Sequence, residues 1–206
     1  MDKRRYVQRV RAEAADATRR RILDAARASL ERGPLGALRV DEVARSAGVS
    51  RSTVYLLYGS RAGLFDALGR HLRDGAGFDD LLREFGRPDA LDAMRGAHRG
   101  AVRMYAKMPD LARALFTLSA IDPDAVAAVR AIEDGRRPGQ ATIARRLAEQ
   151  GYLRDGVSVD EATDMLTVIT SFQAFDELFS GSGLPAEVVA DRLIAMAERT
   201  VCRPDV

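Results

Sequence analysis

The sequence predicts an all-α chain of 206 residues in two parts, a small N-terminal helical unit and a larger helical domain. Three observations carry that prediction. Alanine, leucine and arginine, all strong helix formers, are abundant. Apolar residues recur at i, i+3, i+4 and i+7 in most segments. Period-2 alternation bounded by turn residues, the mark of strands, is hard to find.

The elements follow in order. Thr18 to about Arg32 places Ile22, Leu23, Ala26 and Leu30 on one face, and Gly33-Pro34 stops it. Val40 to Ala47 sets Val40, Val43, Ala44 and Ala47 at helical spacing, and Gly48 suits a left-handed turn. Ser50 is a good N-cap for a short third helix, and Ser60 for a fourth through Leu64, Phe65 and Leu68. A boundary is expected between residues 70 and 80, near Asp74-Gly75-Ala76-Gly77. This divides the chain into a basic arm over 1–17, a unit over 18–72 and a helical domain over 78–203.

Beyond Gly77 the helices lengthen. Pro88-Asp89 opens one through about Lys107, Pro109 one through about Ala120, and Pro123 a third. Arg136-Arg137-Pro138-Gly139 is expected to interrupt or kink that third helix before 140–150. Asp160 to Ser180 reads as one long helix with Met165, Val168, Ile169, Phe172 and Phe179 in a stripe. Pro185 opens the last helix, which carries Val189, Leu193, Met196, Ala197 and Val201.

Apolar residues make up 47% of the chain, enough for a packed core. No apolar run approaches the ~18–20 residues of a membrane span. The basic N-terminus lacks the apolar stretch of a secretory signal, so a cytoplasmic protein without membrane association is expected. Net charge is +2 but unevenly spread. Residues 1–70 hold 15 Lys and Arg against 8 Asp and Glu, a net of +7, and the remainder holds 17 against 22, a net of −5. A basic end on an acidic body suggests a polyanionic partner. A chance excess of arginine gives the same numbers.

The stretch AGVSRSTVYLLYGS at 47–60 sharpens that suggestion. On a helical wheel Val54, Leu57 and Tyr58 share a buried face. Arg51, Ser52, Thr53, Tyr55 and Leu56 take the other, offering a guanidinium, two hydroxyls, a phenol and an apolar contact. Such groups read base edges and grip phosphates. Helix, glycine turn and serine-capped helix together make a helix-turn-helix. A polar surface helix in an ordinary bundle is the competing reading.

Residues 18–68 resemble the N-terminal domain of TetR-type transcriptional regulators. The matching stretches are ILDAA, VDEVARSAGVS and RSTVYLLYGSRAGLF. The resemblance implies a helix-turn-helix DNA-binding domain and a larger C-terminal helical domain for ligand binding and dimerisation. It implies that residues 50–57 form the recognition helix, with Ser50 at its start. Thr53 and Tyr55 fall where the family contacts DNA, Tyr55 on phosphate, while Arg51 and Ser52 are the variable positions for base reading. Arg61 occupies the family's usual lysine on phosphate. Arg39 replaces a common threonine and is expected to reach phosphate directly. Leu57 stands where many members carry a backbone-contacting histidine or tyrosine, and near the core it loses that contact. Two readings of the basic arm (Lys3, Arg4, Arg5, Arg9, Arg11) stand side by side, a phosphate or minor-groove tracker and a disordered, solvated tail.

By the same resemblance the last two helices pair two copies into a homodimer on a palindromic double-stranded DNA operator, and an unidentified small-molecule effector sits in the larger domain. Met104, Tyr105, Met108, Phe116, Met165, Ile169 and Phe172 are candidate pocket residues, since methionines and aromatics suit an adaptable apolar cavity. A plain core uses the same residues. Asp176 and Glu177 read either as a cation site or as a solvated helix end. No enzyme is expected. His71 and His98 share no metal-ligand spacing with each other or with Cys202, and no G-x-S-x-G motif occurs. No cofactor is called for. The expectation is a ligand-responsive repressor, against a non-catalytic helical protein-interaction module.

Overall fold

The computed structural model describes the backbone of residues 3–31, 38–75 and 77–204. Described elements are helices joined by short turns: α1 (Lys3–Glu31), α2 (Val40–Ser46), α3 (Arg51–Tyr58), α4 (Arg61–Gly75), α5 (Phe78–Phe85), α6 (Ala90–Lys107), α7 (Pro109–Ser119), α8 (Val126–Glu149), α9 (Val159–Ile169), α10 (Phe172–Asp176) and α11 (Ala186–Val201). A 3-10 turn at Pro123–Ala125 leads into α8, and a π turn at Glu177–Gly181 extends α10. The fold is all-α, as the helical spacing requires.

Several boundaries differ from the sequence expectation. The first helix begins at Lys3, so the segment taken as an arm is the N-terminal half of α1. The arm's basic side chains, and the Gly33-Pro34 stop, lie outside the described residues. Pro138 does not break its helix, because α8 runs through it. The chain on either side is tied to α9: Arg136 donates to the Thr167 carbonyl and Arg137 pairs with Asp164. These anchors offset the hydrogen bond that a proline cannot donate. The segment expected as one helix over 160–180 is split. Ser171 accepts a hydrogen bond from Ala174 N at 3.1 Å and starts α10 as a new helix. The short helix α5 was not anticipated. Gly96 and Gly100 let it lie on α6, since a Cβ at Gly100 would stand 2.9 Å from Leu81 Cδ1 and one at Gly96 2.2 Å from a Glu84 oxygen.

One apolar core links the two parts. Ile22, Ala26, Val43 and Val54 continue through Leu64, Phe65 and Leu68 of α4 into Leu111, Leu115, Ala128 and Leu147. The crossing of α4 on α8 is the most extensive helix pairing among the described residues. Gly69 sits at its centre, where an added Cβ would stand 1.9 Å from the Ala128 carbonyl oxygen. Only a residue without a side chain fits there.

Cys202 is buried and unpaired, and a short bridge joins it to Leu153. His98 is buried on α6, with Nδ1 2.8 Å from the Met94 carbonyl. Burial holds its pKa down to about 4.

Two outcomes follow from this packing. Gly69→Ala is expected to lower unfolding free energy by about 2–4 kcal/mol in denaturant titrations, because the clash is with backbone that cannot yield. For His98, the unfolded chain takes up a proton below its ordinary 6.5 and the folded chain only below about 4. Stability therefore falls as pH drops from about 6.5 to about 4, by up to about 3 kcal/mol. In His98→Leu the slope over that window is expected to flatten.

Candidate nucleic-acid interface and cavity

The second and third helices meet in a turn closed by hydrogen bonds. Gly48 N–H donates to Arg45 O at 3.2 Å and Val49 N–H to Ala44 O at 3.0 Å, the paired bonds of a Schellman ending. Gly48 has φ +66°, a left-handed conformation that glycine adopts without a Cβ penalty. Ser50 then caps α3, its Oγ accepting from Thr53 N at 3.1 Å. That hydroxyl also lies 2.8 Å from those of Ser52 and Thr53, so the first turn of α3 is locally bonded. Ser60 caps α4 through Gly63 N at 3.0 Å. Both serines therefore cap the helices the sequence assigned to them.

The faces of α3 divide as the wheel predicts, with one refinement. Val54 is buried, and Leu57 and Tyr58 pack against the core, with Tyr58 OH donating to Arg19 O at 2.9 Å. Arg51 and Ser52 are exposed, and Leu56 is 84% exposed. Thr53 and Tyr55, expected to point outward, are half-buried, Tyr55 against the core. Arg51 bridges two helices: it lies 3.2 Å from Asp41 of α2, donates to Tyr55 OH at 3.3 Å and lies 5.5 Å from the centre of that ring. An ion pair this exposed contributes only ~0–1 kcal/mol and is readily exchanged. Arg39 is exposed, precedes α2 without capping it, and lies 3.8 Å from Glu42.

Arg61 is placed differently from the resemblance. At the first position of α4 it turns toward the larger domain. Nε donates to Leu38 O at 3.0 Å, and the two terminal nitrogens meet both Asp122 oxygens at 3.0 and 2.5 Å. One of them also donates to Asp124 at 2.9 Å. The guanidinium lies 4.9 Å from the Phe65 ring centre. Most of its donors are thus spent on one carbonyl and two carboxylates. The same fork holds the Asp122 carboxyl below the usual carboxylate range. Nothing in the sequence spacing marks Asp122 and Asp124 as partners of Arg61.

The larger domain contains a cavity of about 230 Å³ between α5, α6 and α8. Of the seven candidate pocket residues, Met104 and Tyr105 line it. Phe116 and Phe172 stack at 4.6 Å, meet the Tyr105 ring edge-on at 6.1 and 5.3 Å, and line a second, more open cavity with Arg113, Asp176 and Glu177. Ile169 is buried in the core, Met108 ends α6 partly buried, and Met165 is exposed on α9. Asp176 is engaged by Arg113 at 2.8 and 3.1 Å. Phe78, Leu81, Phe85, Arg136 and Gln140, none of them in the candidate set, complete much of the wall. Among the described residues no cluster of His, Cys, Asp and Glu has a metal-binding arrangement, and no helix is long and apolar enough to cross a membrane.

Residues 22–68 match the family described as bacterial regulatory proteins, tetR family. The HTH-type transcriptional repressor LfrR of Mycolicibacterium smegmatis is 48% identical over 61 residues, 30% of this chain and 31% of the repressor. That match spans about a third of the relative's length. Solved structures resemble the whole fold. NalD, the secondary repressor of the MexAB-OprM multidrug efflux pump in Pseudomonas aeruginosa, superimposes with a TM-score of 0.72 at 20% identity, covering 92% of this chain and 98% of that one. A tetR-family regulatory protein from Rhodococcus RHA1 gives 0.72 at 20%, covering 90% and 98%. The SmeT–triclosan complex gives 0.72 at 16%, covering 91% and 93%.

The cap predicts a measurable effect. Ser50→Ala is expected to cost about 1 kcal/mol of stability in denaturant titrations, and Ser50→Gly only a few tenths.

Proposed function

We propose that this chain, whose residues 22–68 match the tetR family of bacterial regulatory proteins, is a sequence-specific DNA-binding transcriptional regulator of that family, a repressor released from its operator by a small molecule. The observation that carries the reading is the α2–turn–α3 unit, whose exposed face presents Arg51, Ser52 and Leu56 beside a half-buried Tyr55. In this reading α3 enters the major groove. Arg51 leaves Asp41 and reads a guanine edge with two parallel hydrogen bonds, Ser52 reads a neighbouring base, and Tyr55 with Thr53 and Ser50 contacts backbone at the helix start. Arg39 adds a phosphate contact from the start of α2. Arg61 reaches phosphate only by leaving Asp122 and Asp124, so its first role here is to fasten the reading head to the larger domain.

The protein acts as a homodimer in this proposal. Met165 and Val168 on α9, and Val188 and Met196 on α11, are exposed apolar residues on the two helices expected to pair, Val168 at 67% exposure. Two-fold pairing sets two copies of α3 one or more helical turns apart, ~34–36 Å per turn, on a palindromic operator. The effector occupies the cavity between α5, α6 and α8 and favours a dimer whose heads no longer match that spacing. SmeT has been solved with triclosan, which supports a small-molecule ligand for a fold of this kind. The protein has no catalytic role in this proposal.

The test is selection from a randomised duplex pool at two salt concentrations, with the bound fraction sequenced. An enriched inverted repeat with steep salt dependence is expected. Failure to bind DNA would replace this reading with a helical interaction module. Arg51→Ala is expected to relax preference at one position per half-site, a loss of ~1–3 kcal/mol of discrimination. Val168→Glu with Met196→Glu is expected to give a monomer in sedimentation and to abolish binding to the repeat.

A further inference from the structure

The walls of the cavity are chemically unequal. Leu81 and Phe85 of α5 and Met104 of α6 supply an apolar surface. The α8 wall carries Arg136 and Gln140, which at i and i+4 project from the same helix face one turn apart. Gln140 is 3% exposed, yet its Oε1 has no hydrogen-bond partner among the described residues. Arg136 donates from its terminal nitrogens to the Thr167 carbonyl and to Glu133, while its buried Nε also lacks a partner. Buried polar atoms are nearly always paired, so unpaired ones on two residues that line one cavity call for an explanation. Their complement is a group that accepts from Arg136 Nε–H and donates to Gln140 Oε1.

Charge and shape narrow the occupant further. The Arg136 cation is already matched by the Glu133 carboxylate, so this polar edge offers a charged ligand no free counter-ion. The α8 wall is thinned by two glycines. At Gly139 an added Cβ would stand 3.0 Å from the Phe85 ring, and at Gly135 it would meet nothing within 4 Å. A slot of about 230 Å³ packed at ~0.74 holds roughly a dozen non-hydrogen atoms.

We propose that this cavity takes a neutral, flat, apolar molecule of that size bearing one small group that both donates and accepts a hydrogen bond, such as a phenolic hydroxyl or a carboxamide, held by Gln140 and Arg136. The proposal rests on the effector reading above and specifies its chemistry.

Three probes of one shape test it on the full-length chain by fluorescence titration: 2-naphthol, 2-methylnaphthalene and 2-naphthoate. 2-Naphthol is expected to bind at least about tenfold more tightly than either of the others. Gln140→Leu keeps the volume and removes the acceptor, so it should bring 2-naphthol down to the level of 2-methylnaphthalene. Gly135→Leu should fill the slot and remove binding of both, without lowering the melting temperature. Equal binding of 2-naphthol and 2-methylnaphthalene, tighter binding of 2-naphthoate, no binding of any probe, or a Gln140→Leu variant that still discriminates would each overturn the proposal. Operator affinity is measured separately with 2-naphthol present. Binding of 2-naphthol that leaves operator affinity unchanged counts against the effector switch and leaves the assigned ligand chemistry standing.

Discussion

The crossing of α4 on α8 is the constraint on which the rest of the molecule depends. At Gly69 the two backbones approach so closely that a methyl group would stand 1.9 Å from the Ala128 carbonyl oxygen. An interior packed at this density does not deform gradually, so a shift of one helix is passed to the other. Each helix carries something at its end or on its flank. The helix α4 begins at Arg61, two residues beyond α3, and α8 supplies Arg136 and Gln140 to the cavity wall. The helix that follows the candidate reading surface and the helix that walls the cavity therefore share one close contact.

The Arg61 cluster reinforces that contact at the head of α4. A lysine there presents a point charge that suits a phosphate. The arginine of this chain presents a planar fork, which meets both oxygens of Asp122 and still reaches Asp124 and the Leu38 carbonyl. One substitution of a basic residue by another thus changes what the position can hold. It binds the loop before α2, the start of α4 and the turn before α8 into one node.

The cavity shows a related effect on the other side of α8. Gly96 and Gly100 bring α5 onto α6, and Gly139 admits the Phe85 ring against α8. A side chain at Gly100 would press on Leu81, its backbone included, and one at Gly139 on the Phe85 ring, so these two positions help α5 close the slot. The polar edge then comes from an arginine already neutralised by Glu133 and from a glutamine with an open oxygen. Such a wall distinguishes ligands by hydrogen bonding more than by charge.

What the sequence determined by itself is local. The serine caps at Ser50 and Ser60, the glycine turn at Gly48, the buried face of α3 and the starts of α6, α7 and α11 all rest on chemistry within a few residues, which spacing and residue type reveal. Tertiary structure decided the rest. Pro138 stays inside α8 because Arg136 and Arg137 are tied to α9, partners 31 and 27 residues away. Arg61 turns toward the larger domain because acids 61 and 63 residues away meet it. Met165 and Phe172 share one apolar stripe in sequence, yet one is exposed and the other buried among aromatic rings. Periodicity shows that a face is apolar; what covers it depends on helices distant in sequence, and only the folded chain brings those together.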